Sequence, residues 1–124
     1  MDVLRKLHEV LVPGGLVIDT QPVSRYPAVK TPHGRLGALD ARAWRRTIDA
    51  VDRRRRRAIG DPLFRLVNTR RFIVFERFDA GNELPGEVRG WAGTTVEPTL
   101  ARRIAKHRDR IWVEQHVTLR LLQA

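Results

Sequence analysis

The stretch Leu11-Val-Pro-Gly-Gly-Leu-Val-Ile18 decides how this chain folds. The segment before it carries apolar residues at helical spacing, at Val3, Leu4, Leu7, Val10 and Leu11. Pro13 cannot continue that helix, and Gly14 or Gly15 can adopt the left-handed conformation that closes a helix end. Leu16 to Ile18 then predict a short, fully buried strand. We therefore expect a helix, a sharp reversal and an interior strand.

Composition limits the class of protein. A length of 124 residues predicts a single domain, residues 1–124, and the hydrophobic fraction of 42% fits a globular chain. No apolar run approaches the ~20 residues that cross a bilayer, so no membrane association is expected. The opening Met1-Asp2-Val3 enters a helix directly, which predicts no secretory signal and a cytoplasmic protein. The absence of cysteine excludes disulfides, thiolate metal sites and cysteine nucleophiles.

The charge of the chain is strongly positive. A formal net charge of +10 would favour an anionic partner. Of the 24 cationic residues, however, 21 are arginine and only Lys6, Lys30 and Lys106 are lysine. Because a GC-rich genome produces the same bias without functional meaning, charge alone does not favour nucleic-acid binding.

The middle of the chain predicts a loop and then a helix. Residues 19–38 are rich in proline and glycine, so we expect a long connection that is neither helix nor central strand. Loops of this length in small domains are often functional. Asp40 is a suitable N-cap for a helix from about Ala41 to Ile59. The apolar stripe of that helix consists of Trp44, Ile48, Val51 and Ala58.

Shorter elements follow. Residues 63–67 fit a strand or a helical turn, Asn68-Thr69 predict a turn, and Arg71–Phe78 predict a strand. Residues 83–91 predict one or two helical turns interrupted at Pro85-Gly86. Pro98 suits the first position of a helix that runs to about Arg108.

The end of the chain alternates apolar and polar side chains. The apolar positions are Ile111, Val113, Val117, Leu119 and Leu121. This period of two predicts a strand with one face on the core. Because a broken helical excursion joins it to the preceding strand, we expect an antiparallel pair at the edge of a sheet. The predicted fold is α/β, bordering on α+β, with a small mixed sheet of three or four strands and packed helices.

The order of these elements resembles the C-terminal half of a class I S-adenosylmethionine-dependent methyltransferase of the small-molecule type, whose fold is Rossmann-like. Leu4–Gly15 resemble the helix and Pro-Gly-Gly turn of that family, and Leu16–Asp19 resemble its fifth strand. Phe75–Asp79 resemble its sixth strand, and Glu83-Leu84 with Glu87–Trp91 resemble the helical segment after it. Val117–Leu122 resemble the antiparallel seventh strand that ends the fold.

Two features of the family have no counterpart here. Members hold the cofactor with a glycine-rich turn after the first strand, and an acidic residue at the end of the second strand binds the ribose. This sequence has no G-x-G-x-x-G and no predicted strand before its first helix. The resemblance therefore implies no cofactor-binding residue, and S-adenosylmethionine would bind only if another chain completed the fold. The chain is expected to be inactive alone, and no catalytic residue is assigned.

The resemblance also implies an acceptor site. In the family, the loop after the fifth strand lines the acceptor-substrate side of the pocket. The residues that match it by position are Asp19, Gln21, Arg25 and Tyr26. The structural alternative is that Asp19 and Gln21 satisfy backbone groups of the loop while Tyr26 packs on the helix.

The missing strands imply a partner. In the complete enzyme, the strand Leu16–Asp19 lies between two neighbours, one of which is absent here. An apolar edge with unpaired backbone groups invites pairing. We therefore expect a homodimer, or a complementary subunit, through the exposed strand near Leu16–Thr20, most simply across a two-fold axis.

The run from residue 53 to residue 57 indicates a second functional class. A basic module for nucleic acid or another anionic partner would use Arg53, Arg54, Arg56 and Arg57. Consecutive arginines, however, encircle a helix instead of sharing one face, and few aromatic residues flank the run. A solvated helix end is the structural alternative, and nucleic acid is not favoured. A third class is a dimeric assembly domain that uses its open edge.

Two remaining residue types are less informative. The four histidines, at positions 8, 33, 107 and 116, include no helical i, i+4 pair, so no metal site is predicted. Trp112 falls on the polar register of its strand and is the best candidate for an exposed patch or a subunit contact.

Overall fold

The computed structural model describes residues 3–57 and 64–124, with the side chains of residues 5–54 and 64–124. These residues form four α-helices and one five-stranded antiparallel sheet. The helices are α1 (Val3–Val10), α2 (Arg42–Arg57), α3 (Leu84–Val88) and α4 (Pro98–Lys106). The strands are β1 (Leu16–Pro22), β2 (Ala28–Thr31), β3 (Gly34–Ala38), β4 (Arg65–Phe78) and β5 (Ile111–Gln123).

The strand β5 is the centre of the sheet. One of its edges pairs with β1 along its C-terminal half and with β2 near its N-terminal end. Its other edge pairs with β4 along the full length of β5. On the edge that carries β2, β3 pairs with the far side of β2. Every one of these pairings is antiparallel, so the prediction of a mixed sheet with three or four strands is wrong on both counts. The prediction of an α/β fold with a small sheet and packed helices is confirmed.

The N-terminal helix and reversal are confirmed. Gly14 adopts a φ of +79°, and the amide of Gly15 donates to the Val12 carbonyl at 2.9 Å. The strand that follows is not interior, because β5 is its only strand partner among the described residues. Leu16 is 54% exposed and Ile18 is 65% exposed, so the prediction of a fully buried strand is wrong.

The predicted loop of residues 19–38 is instead largely strand. β1 continues to Pro22, and β2 and β3 form a hairpin around Pro32 and His33. The Thr31 hydroxyl accepts from the His33 amide at 3.1 Å and donates to the Gly34 carbonyl at 3.2 Å. Gly34 has a φ of +125°, which favours glycine. The prolines lie at strand ends and in the turn, where they do not interrupt the ladder, and this is why their density was misleading.

β4 is one continuous strand. The predicted turn at Asn68-Thr69 is wrong, because the pairing with β5 passes through these residues. The register shifts between Leu66 and Asn68, so Val67 is an extra residue in the ladder, as in a β-bulge. Residue 63 of the predicted segment 63–67 lies outside the described residues, as do residues 58 and 59 of the predicted helix.

The helical segments after β4 differ from the prediction in one respect. Pro85 lies in the first turn of α3, where its missing amide costs nothing, so the helix is not interrupted there. The start of α4 at Pro98 is confirmed. Its N-cap is Glu97, whose carboxylate accepts from the amides of Thr99 at 3.0 Å and Leu100 at 3.2 Å. These hydrogen bonds, chiefly the one from Thr99, lower the pKa of Glu97.

The core lies on one face of the sheet at the N-terminal end of β5. Its buried members are Val29, Leu39, Leu84, Val88, Leu100, Ile104, Ile111 and Val113. The alternation predicted for the last strand is confirmed at Ile111, Val113 and Val117, which are buried on this face. Leu119 and Leu121 are only half-buried, and Leu122, on the other register, is buried. Helices α3 and α4 supply the core residues opposite the sheet. Among the described residues, no helix is both long and apolar enough to cross a membrane.

Candidate ligand-binding cleft

Helix α2 lies against the face of the sheet opposite to the core. The indole Nε1 of Trp44 donates to the Pro22 carbonyl at 3.0 Å, and Nη1 of Arg45 donates to the Val23 carbonyl at 3.3 Å. The carboxylate of Asp40 accepts from the amide of Arg42, the first residue of the helix, at 3.0 Å. Arg42 also holds the pKa of Asp40 down at about 2, chiefly through the side-chain hydrogen bond between them. The predicted role of Asp40 at this helix start is therefore confirmed.

An open cleft of about 850 Å³ separates α2 from the sheet. Its walls are β1, the segment from Val23 to Tyr26, α2, β4 and β5. The polar and charged side chains on the sheet side are Asp19, Gln21, Thr69, Arg71, His116, Thr118 and Arg120. Those on the helix side are Arg45, Asp49, Asp52 and Arg53.

The four residues predicted for the acceptor site all line this cleft. Asp19 and Gln21 are half-buried on β1, and Arg25 and Tyr26 are exposed at its mouth. The side chains of Asp19 and Gln21 form no hydrogen bond with any other described residue, which argues against a purely structural role. The ring of Tyr26 faces the guanidinium of Arg42 at 5.8 Å, so its contact with α2 does match the structural alternative.

The cleft contains two ion pairs. One joins the sheet to α2, and the other lies within α2. Arg120 contacts Asp52 through Nη1 at 3.1 Å, and both side chains are at most 19% exposed. Arg45 Nε lies 3.2 Å from Asp49 Oδ1 on α2. That nitrogen is buried without a hydrogen bond of good geometry, so the second contact is one of charge alone. The two pairs neutralise both carboxylates that α2 presents to the cleft.

The arginines proposed for a nucleic-acid module are described only in part. Arg53 lines the cleft, whereas Arg54 is exposed and does not line it. The side chains of Arg56 and Arg57 lie outside the described part of the chain. Of the two arginines of the run whose side chains the structure describes, Arg53 is brought together with the predicted acceptor residues and Arg54 is not.

The sequence prediction did not include most residues of the cleft, among them Arg71, Thr118 and Arg120. Thr118 and Arg120 were recognised as polar positions of the last strand, but the pattern alone did not show that α2 covers them. Arg71 joins them only through the pairing of β4 with β5. The available signal was the period of two in the last strand, whereas β4, with four consecutive apolar residues from Phe72 to Phe75, carries no such alternation.

Other candidate residues are accounted for separately. Trp112 is half-buried on the same face, with its Nε1 3.5 Å from Glu114 Oε1, so it forms no fully exposed patch. His116 lines the cleft, and His107 follows α4 with its Nε2 3.2 Å from the Arg110 carbonyl. In the parts of the chain that the structure describes, no three acidic, histidine or cysteine residues group to hold a metal.

Comparison with known proteins gives no family for this chain. No protein-family model matches it, and neither a curated protein nor a solved structure does. The function is therefore argued from the residues and geometry described above.

Proposed function

We propose that this chain forms the acceptor-substrate side of a class I S-adenosylmethionine-dependent methyltransferase. The observation that carries the proposal is the convergence of Asp19, Gln21, Arg25 and Tyr26 on one cleft. These residues were selected from the sequence by their position after the strand that resembles the fifth strand of the family. Three of them, Asp19, Gln21 and Arg25, have side chains that make no ion pair or hydrogen bond with another described residue, which leaves their polar groups available to a ligand.

The strand pairing gives independent support. The resemblance requires the last strand to run antiparallel to the strands identified with the fifth and sixth. β5 pairs antiparallel with β1 from Pro22↔Val117 to Leu16↔Gln123 and with β4 along its whole length. The cleft includes Asp19 and Gln21 of β1 and the segment from Val23 to Tyr26 that follows this strand.

The donor side of the reaction is assigned to another polypeptide segment. The sequence has no glycine-rich turn to bind the methionine part of the cofactor, and no matching acidic residue for the ribose. Methyl transfer needs the donor and acceptor to be held in line at contact distance. This chain would then orient the acceptor and exclude water, while its partner would bind the cofactor.

The test compares cofactor binding with methyl transfer. The chain would be titrated calorimetrically with S-adenosylmethionine, alone and together with the product of any adjacent open reading frame. We expect binding only by the pair, together with methyl transfer to an acceptor from a panel of small molecules. Gln21→Ala should weaken transfer while leaving cofactor affinity unchanged, whereas Gln115→Ala, on the opposite sheet face, should leave both unchanged. Tight cofactor binding by the chain alone would contradict the division of roles.

A further inference from the structure

The cleft contains a row of hydrogen-bond donors that crosses three strands. Gln21 of β1 lies directly opposite Thr118 of β5, and Thr118 lies directly opposite Arg71 of β4. Residues opposite each other in a ladder point to the same face, and all three line the cleft. Neighbouring strands are about 4.8 Å apart, so the row spans roughly 10 Å from Gln21 to Arg71.

The charges of the cleft do not balance. Five arginines and three aspartates line it, an excess of two positive charges. The ion pairs Arg120–Asp52 and Arg45–Asp49 account for two of each. The remaining arginines are Arg25, Arg53 and Arg71. The side chains of these three make no ion pair or hydrogen bond with any other described residue.

The remaining carboxylate, Asp19, does not neutralise the excess positive charge at the row of Gln21, Thr118 and Arg71. Asp19 lies one row away, directly opposite Arg120 in the register. Its carboxylate is therefore placed beside the guanidinium of Arg120, which already forms an ion pair with Asp52, and away from Arg71. Arg71 on the sheet and Arg53 on α2 therefore supply positive charge to the cleft that no described carboxylate pairs with.

We propose that the row Gln21, Thr118 and Arg71 is a subsite for the anionic group, a carboxylate or a phosphate, of a small ligand. The guanidinium of Arg71 supplies paired N–H donors, and the Thr118 hydroxyl and the Gln21 amide supply one donor each. Arg53 closes the subsite from the helix side. The proposal depends on the proposed function only for the statement that this ligand is the methyl acceptor.

The two sources of negative charge can be distinguished with small probes. Benzoate and phenyl phosphate share an aromatic ring and differ in the anionic group, and benzamide is a neutral analogue of benzoate. Each would be titrated into the protein at constant ionic strength, with binding followed by two-dimensional ¹H–¹⁵N NMR. We expect saturable shifts at Gln21, Thr118 and Arg71 with one or both anions, and none with benzamide. The anion that binds with higher affinity shows whether the subsite takes a carboxylate or a phosphate.

Matched variants separate a specific site from general attraction. Arg71→Ala should weaken anion binding about tenfold or more, as expected for the loss of a charge-assisted hydrogen bond. Arg70→Ala removes the same charge from the next residue, whose side chain points to the other face, and should leave affinity unchanged. Thr118→Val keeps the shape of the side chain, removes the hydroxyl, and should weaken binding less than Arg71→Ala.

Three results would overturn the subsite. The first is an equal loss of anion affinity in Arg70→Ala and Arg71→Ala. The second is binding of benzamide as tight as that of benzoate. The third is a set of NMR shifts confined to other parts of the protein. Preferential binding of a short single-stranded oligonucleotide, lost in Arg53→Ala and Arg54→Ala, would instead favour the nucleic-acid module. Because none of these measurements needs a methyl donor, failure of the methyltransferase proposal would leave the anion result intact.

Discussion

At the scale of single residues, Gly81 is required by close packing rather than by its own conformation. Its amide donates to the His107 carbonyl at 2.9 Å, directly beneath the end of α4. A β-carbon at this position would overlap the carbonyl oxygen of Ile104, which is fixed backbone. Gly86 in α3 is a natural comparison, because a β-carbon there would meet no atom within 4 Å.

These two glycines give opposite predictions. Gly81→Ala should lower the free energy of unfolding by roughly 1–3 kcal/mol, because the backbone of α4 must shift. Gly86→Ala should raise it by about 0.4–1 kcal/mol, because alanine restricts the unfolded chain and favours helix. Urea denaturation of both variants measures the two changes. Equal effects of the same sign would contradict the packing of Gly81 under α4.

The candidate site was predictable only in part at this scale. Asp19, Gln21, Arg25 and Tyr26 were predicted because they lie in or just after a strand that a recognisable turn introduces, and a contiguous segment keeps its neighbours in any fold. Arg71 is 50 positions from Gln21 in the sequence. It joins the cleft through a register that depends on the bulge at Val67 and on backbone pairing. No local pattern in the sequence encodes that distance.

At the scale of elements, β4 and β5 differ in how their amides are protected. β5 has strand neighbours on both sides over the stretch from Val117 to Gln123. β4 has β5 on one side and no described strand on the other. Several of its large apolar side chains are exposed, among them Leu66, Phe72, Ile73 and Phe75.

Amide hydrogen exchange should report this difference. In β4, alternate amides point to β5 and to solvent, so slow and fast exchange should alternate along the strand. In β5, consecutive amides from Thr118 to Arg120 should all exchange slowly. The measurement is exchange into deuterated water followed by NMR. Uniformly slow exchange along β4 would show that its outer edge is covered in solution.

The elements that were predicted well have strong local signals. The helix of residues 42–57, the helix start at Pro98 and the alternating last strand each combine a clear period with a clear boundary residue. The hairpin of β2 and β3 was missed because its short strands contain glycine and lysine and few β-branched residues. Its stability comes from pairing with β5, at Ala28↔Glu114 and its neighbours, and that contact is non-local.

At the scale of the whole molecule, the sheet has two long edges without a described partner. β1 exposes Leu16 and Ile18 with no charge among its first three residues, whereas β4 carries four arginines along its length. Charged side chains on an edge strand oppose pairing with another chain. β1 is therefore the edge that we expect a second copy, or a complementary subunit, to cover.

This expectation can be tested with one substitution on each edge. Ile18→Lys places a charge on β1 and should convert a dimer to a monomer, because the strand edge is no longer apolar. Ile73→Lys places the same charge on β4 and should leave the dimer intact. Sedimentation velocity over a range of concentrations measures both. A wild-type protein that is monomeric throughout, or dissociation by Ile73→Lys alone, would contradict pairing through β1.

The position of β5 also affects how the molecule assembles during synthesis. β1 and β4 both precede it in the chain, and β5 is the only described strand partner of each; Leu16, for example, pairs with Gln123. A ribosome therefore releases these strands before the one segment that joins them. Until then, their backbone groups are satisfied by water or by a chaperone. Pairings of such long sequence separation also slow the search for the native state. A destabilising substitution in β5 should consequently lower the yield of folded protein before it lowers the affinity for a ligand.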